Sequence, residues 1–396
     1  MNRKEFYKRV DELSWVLQKK QLQVKAFLSL YETKATAEDE IARSITTLAG
    51  ARNELKNCKT IEEQTIAVFF PLNLPLYSLI LFAVMPSFFA KKIFVRCPEV
   101  MRNVLGLLVE ILNLPKLFPD IDFVSCNRTR FLYKYVKKSD VVIFTGKYEN
   151  AMKVLENCKN RLFIFNGSGI NPVVIFNDAD IDLSVDKSYK MRLYNSGQDC
   201  AGPDVFFVQN GIKELFLEKL LDKVGSTVCG NYSNEQRIDV GPIQKEGYVK
   251  EVEDFLKREE NNIVLKGEIL DDVVSPYILG KNIKEHRGSF KEFFAPIFYL
   301  LYFEDEAEVL DMLNKNRDKT MYVSYFSEGK AEMLTSIDFA TKIKNKIIDD
   351  VEQGNLSYGG YGAMTNFVFY DGEFYKRPIL ISREIENYIM NKRKEM

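Results

Sequence analysis

An α/β fold built on a mainly parallel sheet is predicted for this chain of 396 residues, and three observations predict it. From Thr65 onward, short β-branched or aromatic runs alternate with helical stretches, which is the signature of strands joined by crossover helices. Hydrophobic residues make up 46 % of the chain, and the length corresponds to two or three domains, so there is material for a substantial core. Before Thr65 the apolar residues follow helical spacing.

In chain order, Phe6, Val10, Leu13, Val16 and Leu17 recur on one helical face. Thr36-Ala37-Glu38-Asp39 is expected to be a capping box opening a second amphipathic run through Ile41, Ile45 and Leu48, so this region reads as a packing or oligomer-forming element. Residues 68–90 are nearly all apolar and imitate a membrane span, but Pro71, Pro75 and Pro86 punctuate them and Asn73 interrupts them; a buried strand, turn and helix is predicted. Strands are expected at 93–95, 121–124, 141–144, 162–165, 173–176, 205–208, 297–303 and 322–326, with helices at 100–112 and 151–156 among them. A turn cluster, Ser357-Tyr358-Gly359-Gly360-Tyr361-Gly362, precedes a last helix beginning near Ser382.

The 55 Lys and Arg against 56 Asp and Glu leave no electrostatic reason to expect nucleic acid or an anionic membrane as partner. A single histidine, His286, lies in the polar stretch 284–288 and is expected on an exposed loop, which excludes a multi-histidine zinc site and points away from histidine catalysis. The six cysteines form no CxxC pair or metal-ligand spacing, and no apolar signal core follows Met1-Asn2-Arg3-Lys4-Glu5; free thiols in a reducing cytoplasm are expected, five of them as small buried hydrophobes. Asp178, Asp180 and Asp182 invite a calcium loop, but the sixth and twelfth positions are Leu183 and Tyr189 rather than Gly and Glu, so no metal site is expected and a helix N-terminus suffices.

Cys200 lies in Asn195-Ser196-Gly197-Gln198-Asp199-Cys200-Ala201-Gly202-Pro203, where small neighbours leave room for a substrate to reach sulfur; a nucleophile and a buried loop thiol both fit this setting. Gly167-Ser168-Gly169 follows a strand but lacks the third glycine of a dinucleotide fingerprint.

Taken with Asn171-Pro172 and Asp178-Ala179-Asp180-Ile181-Asp182 upstream, the cysteine turn resembles the aldehyde dehydrogenase superfamily. Pro71-Leu72-Asn73-Leu74-Pro75, Phe144-Thr145-Gly146, Glu292-Phe293-Phe294-Ala295-Pro296 and Gly359-Gly360 extend the resemblance over roughly residues 65–365. It implies a Rossmann-like cofactor domain plus an α/β catalytic domain: a helical segment over 1–60, the dinucleotide-binding domain over 61–165, the catalytic domain over 166–352 and a returning segment and helix over 353–396. It also implies that Cys200 attacks an aldehyde, that Asn73 and the Cys200 N–H hold the resulting oxyanion, and that hydride passes to NAD or NADP, leaving a thioester. In the cofactor site it places Thr145, Gly146, Lys147 (where the family has serine), Arg96, Glu99, Glu292 on the nicotinamide ribose and Phe294 beside the ring. A small-molecule aldehyde or acyl thioester as substrate and a homo-oligomeric state follow from the same resemblance.

The departures are informative. Counting back from Asn171-Pro172 places Asn166, 34 residues before Cys200, where the family carries its general-base glutamate. An amide cannot take a proton from water, so hydrolysis is expected to be slow, and transfer of the acyl group to coenzyme A, or reduction of an acyl thioester, is favoured. Arg96-Cys97-Pro98-Glu99 replaces the usual adenosine motif and leaves NAD and NADP both open: the arginine tolerates a 2′-phosphate, and the glutamate repels one. The stretch before Asn73 is short, and the family's GGxKxSG is replaced by Gly359-Gly360-Tyr361-Gly362-Ala363-Met364-Thr365. The alternative is a binding or assembly protein that kept the fold and lost turnover.

Overall fold

The computed structural model describes residues 2–59, 64–158, 161–329 and 331–395. Three helices open the chain: α1 (Arg3–Lys19), α2 (Gln21–Leu28) and α3 (Lys34–Glu54). The apolar face of α1 buries Phe6, Val10, Leu13 and Leu17, as its spacing predicts. The cap of α3 is Thr33, whose hydroxyl accepts from the Thr36 N–H at 3.1 Å. This corrects the expected box at Thr36, which is already inside the helix; the earlier hydroxyl reached the free N–H first. The expected boundary between 60 and 61 lies outside the described residues.

Five strands follow: β1 (Gln64–Phe69), β2 (Ala90–Arg96), β3 (Ile121–Phe123), β4 (Val141–Thr145) and β5 (Leu162–Asn166). They pair in parallel in the order β5-β4-β1-β2-β3, so the winding reverses between β1 and β4, the arrangement that opens a crevice beyond the carboxyl ends of those two strands. A second sheet contains β6 (Pro172–Ile175), β7 (Val205–Gln209), β8 (Ile263–Leu265), β11 (Tyr277–Asn282), β12 (Ile297–Phe303), β13 (Tyr322–Phe326) and β14 (Thr341–Lys344) in the order β14-β13-β6-β7-β12-β11-β8. Only β8 runs antiparallel there; β9 (Ile269–Leu270) and β10 (Val273–Val274) form a separate hairpin. The chain then returns to the first sheet, where β15 (Asn366–Tyr370) pairs antiparallel with β5 and carries β16 (Glu373–Tyr375) at the edge. The last helix is Ile381–Glu395.

Each sheet is apolar on both faces, as buried parallel strands require. On the first sheet one face packs against α1, α3 and the segment 76–90, and the other against the helices Arg128–Lys134 and Tyr148–Leu155. All eight expected strands are present, with ends within three residues of those expected. The strands not anticipated are short edge pieces, β11, and the aromatic β15.

Among the described residues, no helix is long and apolar enough to cross a membrane. The span-like segment becomes β1, a proline turn and the helix Pro75–Leu79, after which a π-helical turn, Ile80–Val84, and a 3₁₀ turn, Met85–Phe89, lead into β2. Two expectations are corrected here. His286 is half-buried, with Nδ1 3.0 Å from the Tyr299 hydroxyl and its ring 4.9 Å from that of Phe290, because two aromatic neighbours shelter the loop. Burial and Lys281 hold its pKa below the ordinary histidine value. Of the five cysteines expected to be buried, Cys58 and Cys158 are, while Cys97, Cys126 and Cys229 sit half-buried in or beside turns that leave one side open to solvent.

Candidate active site

The carboxyl ends of β1, β4 and β5 face the amino ends of β6 and β7, and the candidate residues gather in the gap. Asn73 stands on the turn after β1, Thr145 and Asn166 end their strands, and Cys200 precedes β7; all four line one cavity of about 1060 Å³, its open mouth included.

The turn leading to the thiol is conformationally costly. Asn195, Ser196 and Gly197 are all left-handed, with φ of 47°, 59° and 76°, and a side chain on Gly197 would lie 2.6 Å from the Ala295 carbonyl carbon. Non-glycine residues resist this region, so surrounding bonds must hold it. Ser196 Oγ accepts from the Gly241 N–H at 2.8 Å, and Asn195 Nδ2 donates to the Gln198 carbonyl at 3.2 Å.

The strongest staple is Arg192, fully buried on the inner face of the helix Ile181–Leu193. Its guanidinium donates to the carbonyls of Pro203, Gly197 (2.6 Å) and Phe293 (2.8 Å), tying both ends of the cysteine turn to the Glu292 segment. Asp204, 3.8 Å from Arg192, accepts from the backbone N–H groups of Asn171 (3.1 Å) and Phe293 (2.6 Å). Burial pushes the Asp204 carboxyl upward, opposed by Arg192. Asn171, seen in sequence only as part of a motif, donates through Nδ2 to the carbonyls of Gly169 (3.0 Å), Cys200 (2.9 Å) and Gly202 (3.3 Å). Sequence reasoning missed Arg192; the available signal was a cation repeating at four-residue spacing after Ser184 and Ser188 on the buried face.

Cys200 Sγ lies 3.1 Å from the Tyr358 hydroxyl, a partner supplied by the glycine-rich turn that had no assigned role. The turn needs its glycines: a Cβ on Gly359, at φ 109°, would lie 2.3 Å from Asn366, and one on Gly360 would lie 2.4 Å from the Met321 carbonyl oxygen. Burial, then the Asp199 carboxylate, push the Cys200 thiol well above the ordinary cysteine value, while the Tyr358 contact pulls the other way. The resting group is therefore a protonated thiol. Tyr358→Phe is expected to slow alkylation of Cys200 by about tenfold, the scale of one lost hydrogen bond, while the wild-type rate still climbs about tenfold per pH unit through pH 9. Peptide mapping after limited alkylation measures both, and an unchanged rate in Tyr358→Phe would remove the tyrosine from the site.

Asn73 Nδ2 donates to the Gln198 carbonyl at 3.2 Å, which leaves a second N–H on the same nitrogen. Its loop is fixed by Leu74 at φ 50° and by Glu40, buried on α3, which accepts from the Tyr77 N–H at 2.7 Å.

The remaining expected residues occupy two other places. Lys147, Glu292 and Phe294 line a neighbouring cleft with Ser168, Lys245 and Tyr248. Glu292 is pushed up to about 7 by burial, against the pull of Ser168 and the two lysines, and its Oε1 is buried without a partner. Thr145 Oγ1 is likewise buried without a partner. Gly146, at φ 141°, turns the chain from β4 toward Lys147. Arg96 ends β2 with Nε donating to the Cys126 carbonyl at 3.2 Å, and the exposed Glu99 lies 3.6 Å from Arg102. Arg96 and Glu99 thus sit farther along the carboxyl edge of the first sheet, outside both cavities.

The aldehyde dehydrogenase family model matches residues 134–363. Lactaldehyde dehydrogenase from Methanococcus maripaludis is 24 % identical over 189 residues, 46 % of this chain and 40 % of that protein. The matched part of the chain therefore spans about 40 % of the length of these curated relatives. The crystal structure of an aldehyde dehydrogenase from Brucella melitensis biovar abortus 2308 superposes with a TM-score of 0.82 at 18 % identity, covering 98 % of this chain and 84 % of that one. Glyceraldehyde-3-phosphate dehydrogenase GapN from Methanocaldococcus jannaschii, complexed with NADP, superposes at 0.79 and 18 % identity over 92 % of this chain and 85 % of its own. At these identities the superpositions establish the fold.

Proposed function

Because this chain belongs to the aldehyde dehydrogenase family, we propose that it is an NAD(P)-dependent aldehyde oxidoreductase acting through Cys200, with a thiol such as coenzyme A rather than water as acyl acceptor. The observation that carries the reading is one cavity lined by Cys200, Asn73, Thr145 and Asn166, the last an amide where the resemblance expects a general base.

The residues fit a nicotinamide dinucleotide. Two buried polar atoms lack partners, Thr145 Oγ1 in the Cys200 cavity and Glu292 Oε1 in the neighbouring cleft, and Lys147 and Lys245 in that cleft supply positive charge for phosphate. When bound, the nicotinamide accepts hydride in aldehyde oxidation or donates it in acyl reduction. Cys200 must first pass its proton to solvent water at the open mouth of the cavity, since burial and Asp199 hold it protonated. Its sulfur then bonds to the carbonyl carbon, and the electron pair of the C=O moves to oxygen, where the free N–H of Asn73 and the Cys200 N–H receive it. Loss of hydride from that carbon restores the C=O and leaves a thioester on Cys200. Asn166 can hold a water by hydrogen bonding but cannot take its proton, whereas the thiolate fraction of a thiol acceptor attacks the thioester carbon without a base, and the departing Cys200 sulfur takes up a proton from solvent.

Thermal shift with oxidised and reduced NAD and NADP tests the cofactor. The cognate form is expected to stabilise the fold by about 2.7 kcal/mol at a hundredfold excess over its Kd. Spectrophotometric turnover of an aldehyde, with and without coenzyme A, tests the acceptor. No shift with any of the four nucleotides would favour the alternative of a binding protein that has lost catalysis.

A further inference from the structure

The cavity around Cys200 extends beyond the thiol and Asn73 along residues 74–86 and 354–382, and most of its wall is apolar. One side is the segment that imitates a membrane span. Leu74, Leu81, Phe82 and Met85 face inward from it at helical spacing, and the π-helical turn Ile80–Val84 widens the spiral beside the thiol. Turns of that kind recur at functional sites. Leu356 and Ile379 line the same cavity from the C-terminal part of the chain, and Leu356 is 54 % exposed.

No charged group in the described lining is free to receive a charged substrate. Arg43 is the only cation lining this cavity among the described residues, and it is fully engaged by Asp39 (2.8 Å), Glu352 (2.6 Å) and Asp349. The carboxylates are engaged as well. Glu352 also accepts from the Tyr77 hydroxyl at 2.8 Å, Asp349 pairs with Lys190 at 2.8 Å, Glu54 accepts from Asn355 at 2.6 Å, and Asp199 accepts from the Ala201 N–H at 2.7 Å. An anionic tail would meet four carboxyl groups and no available cation. A cationic tail would compete with bonds already made.

We propose that the substrate of this site is an aldehyde or acyl thioester with an unbranched, neutral, apolar tail, lodged between the 74–86 wall and the 356–381 segment with its carbonyl at Cys200. The inference rests on the oxidoreductase reading for the reacting group and on the cavity alone for the tail. Burying methylenes against this wall raises binding in proportion to the area removed from water.

The test is a series of straight-chain aldehydes from two to twelve carbons, with succinate semialdehyde and 4-aminobutanal as charged members, assayed for kcat/KM on the full chain. In parallel, binding of straight-chain alcohols of matching length is measured by calorimetry, without any reaction. Expected are a rise in kcat/KM of about threefold to fourfold per added methylene until the cavity is filled, a matching rise in alcohol affinity, and the weakest turnover for the charged aldehydes. Met85→Trp, which adds bulk to the buried lining, is expected to move the optimum to a shorter chain. Turnover that is independent of length, or highest for either charged aldehyde, overturns the proposal. No turnover with any aldehyde, but length-dependent alcohol binding, would instead overturn the oxidoreductase reading and leave the apolar tail site standing. Absence of length dependence in the alcohols overturns the tail site whatever the catalytic result.

Discussion

Asn166→Glu is expected to raise hydrolysis of the acyl-Cys200 thioester by about 10²–10⁴, the usual worth of a general base. In the unmodified protein the thioester should persist in buffer and discharge when coenzyme A is added. Intact-mass spectrometry after exposure to aldehyde and oxidised cofactor follows the adduct in both proteins. The position can accept the change because Asn166 ends β5 half-exposed and lines the open cavity. Rapid hydrolysis in the unmodified protein, with no acceleration by thiols, would mean that another group supplies the base. Glu292 would be the one to replace next, since its carboxyl titrates near 7 and its charge is felt at Cys200. Glu292→Gln would then abolish the hydrolysis.

Arg192→Met is expected to cost about 3–5 kcal/mol of stability, because three buried carbonyls lose their donor and Asp204 loses its cation. The change removes the bonds that tie the cysteine turn to the Glu292 segment, so catalysis should fall in whatever protein remains folded. Chemical denaturation with a far-UV readout gives the stability, and Arg192→Lys separates charge from geometry. An ammonium preserves the charge but cannot span the carbonyls of residues 197, 203 and 293 together, so it should recover only part of the loss. A cost below 1 kcal/mol for Arg192→Met would show that the left-handed turn is held by Ser196 and Asn195 rather than by the guanidinium.

Much of this was legible in the residues themselves. Strands such as 297–303 and 322–326 are runs of β-branched and aromatic side chains whose preference for a buried sheet is local, and the prolines at 71, 75 and 86 bar a continuous span regardless of context. Asp180 caps the helix Ile181–Leu193 through a bond to the Leu183 N–H at 3.0 Å, a three-residue interaction that the acidic run announced. Cys200, Asn73 and Asn166 were nameable because a motif keeps its residues adjacent in sequence. The cap of α3 was misplaced by three residues because a second threonine, Thr33, lies three residues earlier and its hydroxyl accepts from the Thr36 N–H. The His286 environment was missed because Tyr299 reaches it from a neighbouring strand.

What the sequence by itself determined is thus the class of fold, the positions of most strands and the chemical identity of the groups at the turns, all of which depend on neighbours within a few residues. Only the tertiary structure decided that Tyr358, 158 residues away, would touch the Cys200 sulfur and that Arg192 would be buried across three carbonyls. Only it decided that the span-like segment would become the wall of a cavity. The physical reason is that strand order in a doubly wound sheet and the return of β15 onto β5 are set by packing over the whole chain, and burial, which shifts the Cys200 thiol and the Glu292 carboxyl, exists only once that packing is complete.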